Sequence, residues 1–303
     1  MSEPGAAPKK AEIWPVFVGF GAAVFVVQLV GTILLAALFF GDRVRAGEPL
    51  LDADLAESLL AFVLSPKALL AAAGVSALTL LGASLVGAWL SKLPLAVRLR
   101  TGQSSLGIGR GAVAALGVIA ISWGYSAAIS LAGLNKIGTL QLFDKMFERP
   151  SLTFRVLAIL FIGIAAPLGE EAFFRGFMLT RLAQRWHKWF PIFVTSALFG
   201  LLHLDLIQGP FALLAGLYLG WLTESTGSIR PAVVAHAANN CLSVVMLQVG
   251  LDAPSRTSLY VQVGIAILAL VAAVLVIRGH HRTRSIPPSG SPGPELSDAA
   301  TGP

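Results

Sequence analysis

The sequence predicts an all-α fold: a polytopic membrane bundle of about eight transmembrane helices. Three observations predict it. Of 303 residues, 55% are hydrophobic and only 13% charged, about half the charged share of a soluble domain. Mean hydropathy is +0.77. The apolar residues also gather into stretches near the length a helix needs to cross a bilayer, about 20 residues. The net charge of +6 does not argue for nucleic acid, because Lys and Arg fall between the apolar stretches as in the loops of a membrane protein rather than along one stripe. The single cysteine, Cys241, excludes an intrachain disulfide and matches no redox or metal spacing.

The elements follow in order. Residues 1–12 form an N-terminal cytoplasmic segment, and 13–277 hold the bundle. Its spans are expected at 13–40, 68–90, 112–134, 156–179, 190–206, 209–223, 231–247 and 259–277. The first is retained rather than cleaved, since its apolar run far exceeds a signal-peptide core of roughly 7 to 15 residues. Residues 50–64 mix acidic side chains with an apolar face, which suits a helix lying on the interface. Residues 278–303, rich in Pro, Gly and Ser beyond Arg284, are expected as a disordered cytoplasmic tail. Eight spans put both termini on one side. That side carries Lys92, Arg98, Arg100, Arg110, Arg181, Arg185 and Lys188, which makes it cytoplasmic by positive-inside logic, although Lys136, Lys145 and Arg149 populate an opposite loop. The plasma (inner) membrane is the expected location.

Ionisable side chains within a span are expensive, roughly 2.5 to 3.5 kcal/mol each on insertion scales, and mark pairs or wet cavities. Here they sit in three spans: Glu170, Glu171 and Arg175 within GEEAFFRG, His203 within FGLLHL, and His236 with Asn239 and Asn240 within AHAANN. Residues four apart share a helix face, so Glu171 can pair with Arg175, and His236 points with Asn240. Glu170 is offset by about 100° from Glu171 and must find a partner on another helix, for which His203 is the natural candidate. Pro167 and Gly169 predict a kink beside the carboxylates. At about 1.5 Å per residue all four groups fall ~9 to 20 Å from the cytoplasmic helix ends, in one layer.

A carboxylate and an imidazole around one water supply what amide hydrolysis without a covalent intermediate requires, namely a base and an aimed oxygen. Donors for the developing oxyanion are also needed. Glu170 fits the base, His236 and Asn240 the donors, and Glu171 with Arg175 a support. Cys241 points off the His236 face and reads as a small packing residue. Phe173, Phe174 and Phe177 read as lipid-facing or packing residues.

Taken together, Glu170-Glu171-x3-Arg175, Phe199-x3-His203 and His236-x3-Asn240, in this order, resemble the CAAX prenyl protease and bacteriocin-processing (Abi) family of intramembrane endopeptidases. The resemblance covers about 156–248, nearly a third of the chain. It implies an eight-helix peptidase in which Glu170 and His203 activate water and His236 and Asn240 stabilise the oxyanion. Glu171 and Arg175 would support them, with Phe199 packed alongside. Its partners would be the bilayer and a membrane-associated or lipid-modified peptide substrate. The family has been described both as glutamate-dependent and as metalloprotease. The metal-free form is preferred here because no H-E-x-x-H occurs. Zinc or another divalent metal would have to be held by Glu170, His203 and His236 from separate helices. Two readings compete: a proton- or solute-coupled transporter using the same groups as a relay, and a catalytically inactive membrane scaffold.

Overall fold

Helix is the only regular structure among the described residues, as the apolar stretches require, since a backbone in lipid must satisfy its own hydrogen bonds. The computed structural model describes residues 13–91, 94–135, 147, 151–249 and 255–285. The helices whose bounds fall within the described residues are, in order, α1 (Trp14–Ala46), α2 (Leu55–Val63), α3 (Pro66–Trp89), α4 (Leu95–Arg98) and α5 (Ile108–Leu131), then α6 (Leu152–Leu182), α7 (Trp189–Leu202), α8 (Gln208–Thr226), α9 (Arg230–Val249) and α10 (Arg256–Ser285). Residues 1–12, 286–303, Lys92 and the loop bearing Lys136, Lys145 and Arg149 lie outside the described residues.

Local chemistry sets the boundaries. Ser65 accepts from the Ala68 amide at 3.2 Å and Pro66 fills the first turn of α3; Ser151 accepts from the Phe154 amide at the start of α6. Asp205 Oδ1 accepts from the amides of Ile207 and Gln208 at 2.8 and 2.7 Å, which opens α8. Gly47 and Gly227, both left-handed, close α1 and α8. The helix α10 continues through 278–285 rather than giving way to a tail at 277. The first proline beyond that point is Pro287, and Gly279 alone does not stop a helix.

Among the described residues five helices, α1, α3, α5, α6 and α10, are long and apolar enough to cross a membrane by length and composition. The chain is an integral membrane protein. The other three elements of the expected eight differ in kind: α7 is apolar but has 14 residues, ~21 Å of helix, while α8 and α9, with 19 and 20 residues, interrupt their apolar faces with polar groups. Within the stretch 50–64, where an interfacial helix was expected, the chain forms α2, with no residue buried. Beside it, the buried Arg43 bonds Asp52 and donates to the Pro49 carbonyl, pinning the α1–α2 connection.

The helix α6 is the centre of the bundle. It lies along α3, with α9 against its first half and α7 and α8 against its second. Phe173, Phe174 and Phe177 are all buried, packing with Leu80, Met178 and Phe199, and none faces lipid. Gly169 permits the contact with α3, because a Cβ there would stand 2.5 Å from the Ala77 carbonyl oxygen. A backbone atom cannot move aside cheaply. Gly169→Ala is therefore expected to destabilise the bundle by about 1–3 kcal/mol, read as a lower unfolding temperature in detergent. An unchanged temperature would mean the two helices do not approach this closely.

The expected kink at Pro167 takes another form. Residues Ile159–Ala165 and Ala172–Leu179 are π-helical, on either side of a short α-helical stretch, Ala166–Glu171. The Ala166 amide donates to the Phe161 carbonyl, five residues back. In that register the next amide would reach the Ile162 carbonyl, but residue 167 is proline and has none. The ladder is widened around the proline rather than broken, a common arrangement at functional sites.

Candidate active site

Glu170 and Glu171 occupy the short α-helical stretch between the two π segments and therefore point in different directions. Glu171 is fully buried. Its Oε1 accepts twice: from Arg175 Nη1 at 2.9 Å and from His236 Nδ1 at 2.9 Å. Arg175, also fully buried, donates through Nη2 to the Gly216 carbonyl at 3.2 Å and lies over the Phe199 ring at 4.8 Å. One carboxylate oxygen thus joins α6 to α9, and one guanidinium joins α6 to α8. The expected Glu171–Arg175 pair is present, and the bond to His236 is an addition that helical spacing on α6 alone cannot reveal.

Because an ionised carboxylate only accepts, Nδ1 of His236 carries the hydrogen and Nε2 is left for other work. That nitrogen stands 3.6 Å from Glu170 Oε2, longer than a direct hydrogen bond and short enough for one water to touch both. Glu170, at 14% side-chain exposure, is the accessible member of the group. Its partner is His236, not His203 as expected from the sequence.

His203 departs from expectation because α7 ends on it. Leu204 is left-handed at φ 48° and Asp205 already caps α8, so residue 203 is the last before a tight turn rather than the interior of a span. Its Nδ1 donates to the Phe199 carbonyl at 3.0 Å. Its ring and that of His236 both meet Phe199 edge-on, at 5.0 and 5.9 Å between centroids. Phe199 is therefore a hub with two imidazoles and a guanidinium around it, more than the neighbouring residue the sequence suggested.

Asn240 donates through Nδ2 to the Ile162 carbonyl at 3.2 Å. This is the acceptor that Pro167 leaves without an amide, so a side chain of α9 supplies the bond missing from α6. Asn239 Nδ2 donates in turn to Asn240 Oδ1 at 3.3 Å. Nearby, a Cβ at Gly163 would lie 2.6 Å from Cys241 Sγ, so the helices meet at that sulfur and Cys241 is a packing residue. Pro167 announces an orphaned carbonyl, but α-helical spacing points to that of Gly163, so the link from Asn240 to Ile162 depends on the π register of α6.

The donor chemistry of the two histidines suits a metal, since each has Nδ1 tied to an acceptor and Nε2 free. Among the described residues, however, no three His, Cys, Asp or Glu side chains are grouped to hold one ion. The set Glu170, His203 and His236 is not drawn together as it stands.

Comparison with known proteins bears on this segment. Residues 152–242, from the first turn of α6 to just beyond Asn240, match the family model for type II CAAX prenyl endopeptidase Rce1-like proteins. The match is confined to this segment. Every group just described on α6, α7, α8 and α9 lies within it. The chain is also 31% identical over 144 residues, 47% of its length, to an uncharacterized 24.3 kDa protein of Escherichia coli, of which it spans 61%. No solved structure matches. The matched segment thus takes in the site-bearing helices, with α1, α3, α5 and α10 packed around it.

Proposed function

We propose that the protein is an intramembrane endopeptidase that hydrolyses a peptide bond of a membrane-associated or lipid-modified substrate with water activated by Glu170. The observation that carries the reading is the convergence of Glu170, Glu171 and His236, 65 residues apart on α6 and α9, inside the segment that matches the Rce1-like family model. Water seated between Glu170 Oε2 and His236 Nε2 gives a proton to the carboxylate, and its oxygen attacks the peptide carbonyl carbon. Glu170 then passes that proton to the leaving nitrogen. Glu171, held by Arg175, fixes the His236 ring and keeps its hydrogen on Nδ1. The Asn240 amide spends one hydrogen on Ile162 and has a second for the oxyanion. His203, at the end of α7, packs on the same Phe199 ring beside this pair, and its part in activating the water requires it to draw nearer to Glu170 when substrate binds. The helix ends bearing Arg98, Arg181, Arg185 and Arg230 face the cytoplasm in this reading.

Purified protein in vesicles, given a library of membrane-tethered peptides, should cleave a subset, and should do so equally in the presence of a chelator. Chelator-sensitive cleavage would move Glu170, His203 and His236 to the role of metal ligands. Ion or solute flux without cleavage would favour the transporter reading instead.

A further inference from the structure

Three helices enclose a space that the peptidase site does not use. Helices α8 and α10 both pack on α5, and no comparable contact joins them to each other, so a cleft runs between them with α5 as its floor. It holds a cavity of about 580 Å³, the size of a small-molecule site. Along α10 it follows a single stripe, Val263, Ala266, Leu270, Val274 and Arg278, spaced as one helix face requires. The wall from α8, Leu214, Tyr218 and Trp221, lies on the side of that helix opposite Gly216, which meets Arg175. The cleft and the peptidase site are therefore separate.

Length and chemistry fix the class of occupant. The apolar part of the stripe, from Val263 to Val274, runs ~16 Å at about 1.5 Å per residue, and one leaflet is half of a hydrocarbon core of about 30 Å. One fatty chain fits that depth. The hydroxyls of Tyr125 and Tyr218, which also line the cleft, donate to the carbonyls of Ile207 and Ala114 at 2.7 and 3.0 Å, so both are already satisfied by the protein. Chemistry changes at one end. Arg278 is exposed and, among the described lining residues, is alone in being charged. Two tryptophans line the cleft near it: Trp221 lies just past Tyr218, whose partner Ala114 packs with Ile277, and Trp189 opens α7 where Gly220 lies against Ile192. The exposed Lys188 stands 5.7 Å from the Trp189 ring and adds a second cation. Tryptophans gather at headgroup depth, and the planar fork of an arginine there matches a phosphate. A chain-length apolar cleft with a cation at its mouth selects a lipid with an anionic head. A transmembrane helix would instead need a face along the whole ~30 Å of the core.

We propose that this cleft binds one chain of an anionic phospholipid from the leaflet at the basic end of the bundle, with its phosphate at Arg278. The assignment is independent of the peptidase reading. Vesicles of phosphatidylcholine carrying phosphatidylglycerol supply the lipid, and native mass spectrometry of the extracted full chain counts what stays bound. The wild type should retain one phosphatidylglycerol in preference to phosphatidylcholine. Arg278→Gln should retain about fivefold less, the worth of one cation facing an anionic headgroup, with an unchanged unfolding temperature in lipid-free detergent because the side chain is exposed. The chain is tested at the other end, where Ala128 lies one turn beyond Gly124 and its contact with Ala266. Ala128→Phe narrows the cleft there and should also lower retention, to which a contact with the head alone would be indifferent. Phosphatidylglycerol brominated along its chains should quench Trp221, read as the difference between the wild type and Trp221→Phe. Equal retention by the wild type and Arg278→Gln would overturn the site, and so would equal retention by Ala128→Phe. Crosslinking of two copies through cysteines placed at Ala128 and Ile267 would give the cleft to a second copy of the chain and overturn the lipid as occupant.

Discussion

Replacing Glu170 by Gln should lower peptide turnover by about 10²- to 10⁴-fold, the usual contribution of a general base, with no loss of folded protein. Gln keeps the size and one oxygen of the side chain but cannot take a proton. Glu170 is the carboxylate with access to solvent, and its contact to His236 at 3.6 Å is not a direct hydrogen bond, so the packing of α6 does not depend on its charge. Unfolding temperature should stay level or rise slightly, and cleavage of a tethered peptide reports the activity. Cleavage within a fewfold of the wild type would end the assignment of Glu170 as the base. An inactive scaffold would show no change in any cellular phenotype with this substitution.

The second large effect is structural. Arg175→Met should destabilise the protein by about 3–5 kcal/mol, the range for breaking a buried pair and leaving the partner charge behind. Arg175 is fully buried and touches Glu171, Gly216 and the Phe199 ring, so one substitution loosens α6 from α8 and leaves Glu171 with His236 alone. Removing both charges in Glu171→Met with Arg175→Met should recover much of the stability and none of the activity, because His236 then has nothing to fix its ring. Chemical unfolding in detergent gives the coupling between the two positions. A single variant as stable as the wild type would show that Glu171 does not rely on Arg175.

These two expectations separate what the sequence discloses from what it does not. Helix positions were legible because apolar length is a one-dimensional property, and α1, α3, α5, α6 and α10 read directly from it. The helices α7, α8 and α9 are less plain because they carry the polar groups that build the site. The pairing of Glu171 with Arg175 was legible for the same reason, both residues lying on one helix at a spacing of four. The pairing of Glu171 and Glu170 with His236 was not, since spacing along α6 and along α9 leaves open how the two helices are rotated against each other. His203 was misplaced by a related gap: whether a helix stops at 203 depends on the left-handed Leu204 and the cap at Asp205. The widened turns of α6 were encoded in Pro167, and their repair by Asn240 needed the neighbouring helix.

The widened turns also bear on the phase of the stretch that carries Glu170 and Glu171. Each takes up an extra residue within a wide turn, so deleting one residue within 159–165 should let that turn close to ordinary α-helical spacing and leave Glu170 on its present side, where the same deletion in a regular helix would swing it by about 100°. A deletion within 172–179 should likewise spare the orientation of the basic end of α6 relative to the carboxylates. A one-residue shortening of either wide turn is therefore compatible with both carboxylates still facing His236, whereas the same change within Ala166–Glu171 is not.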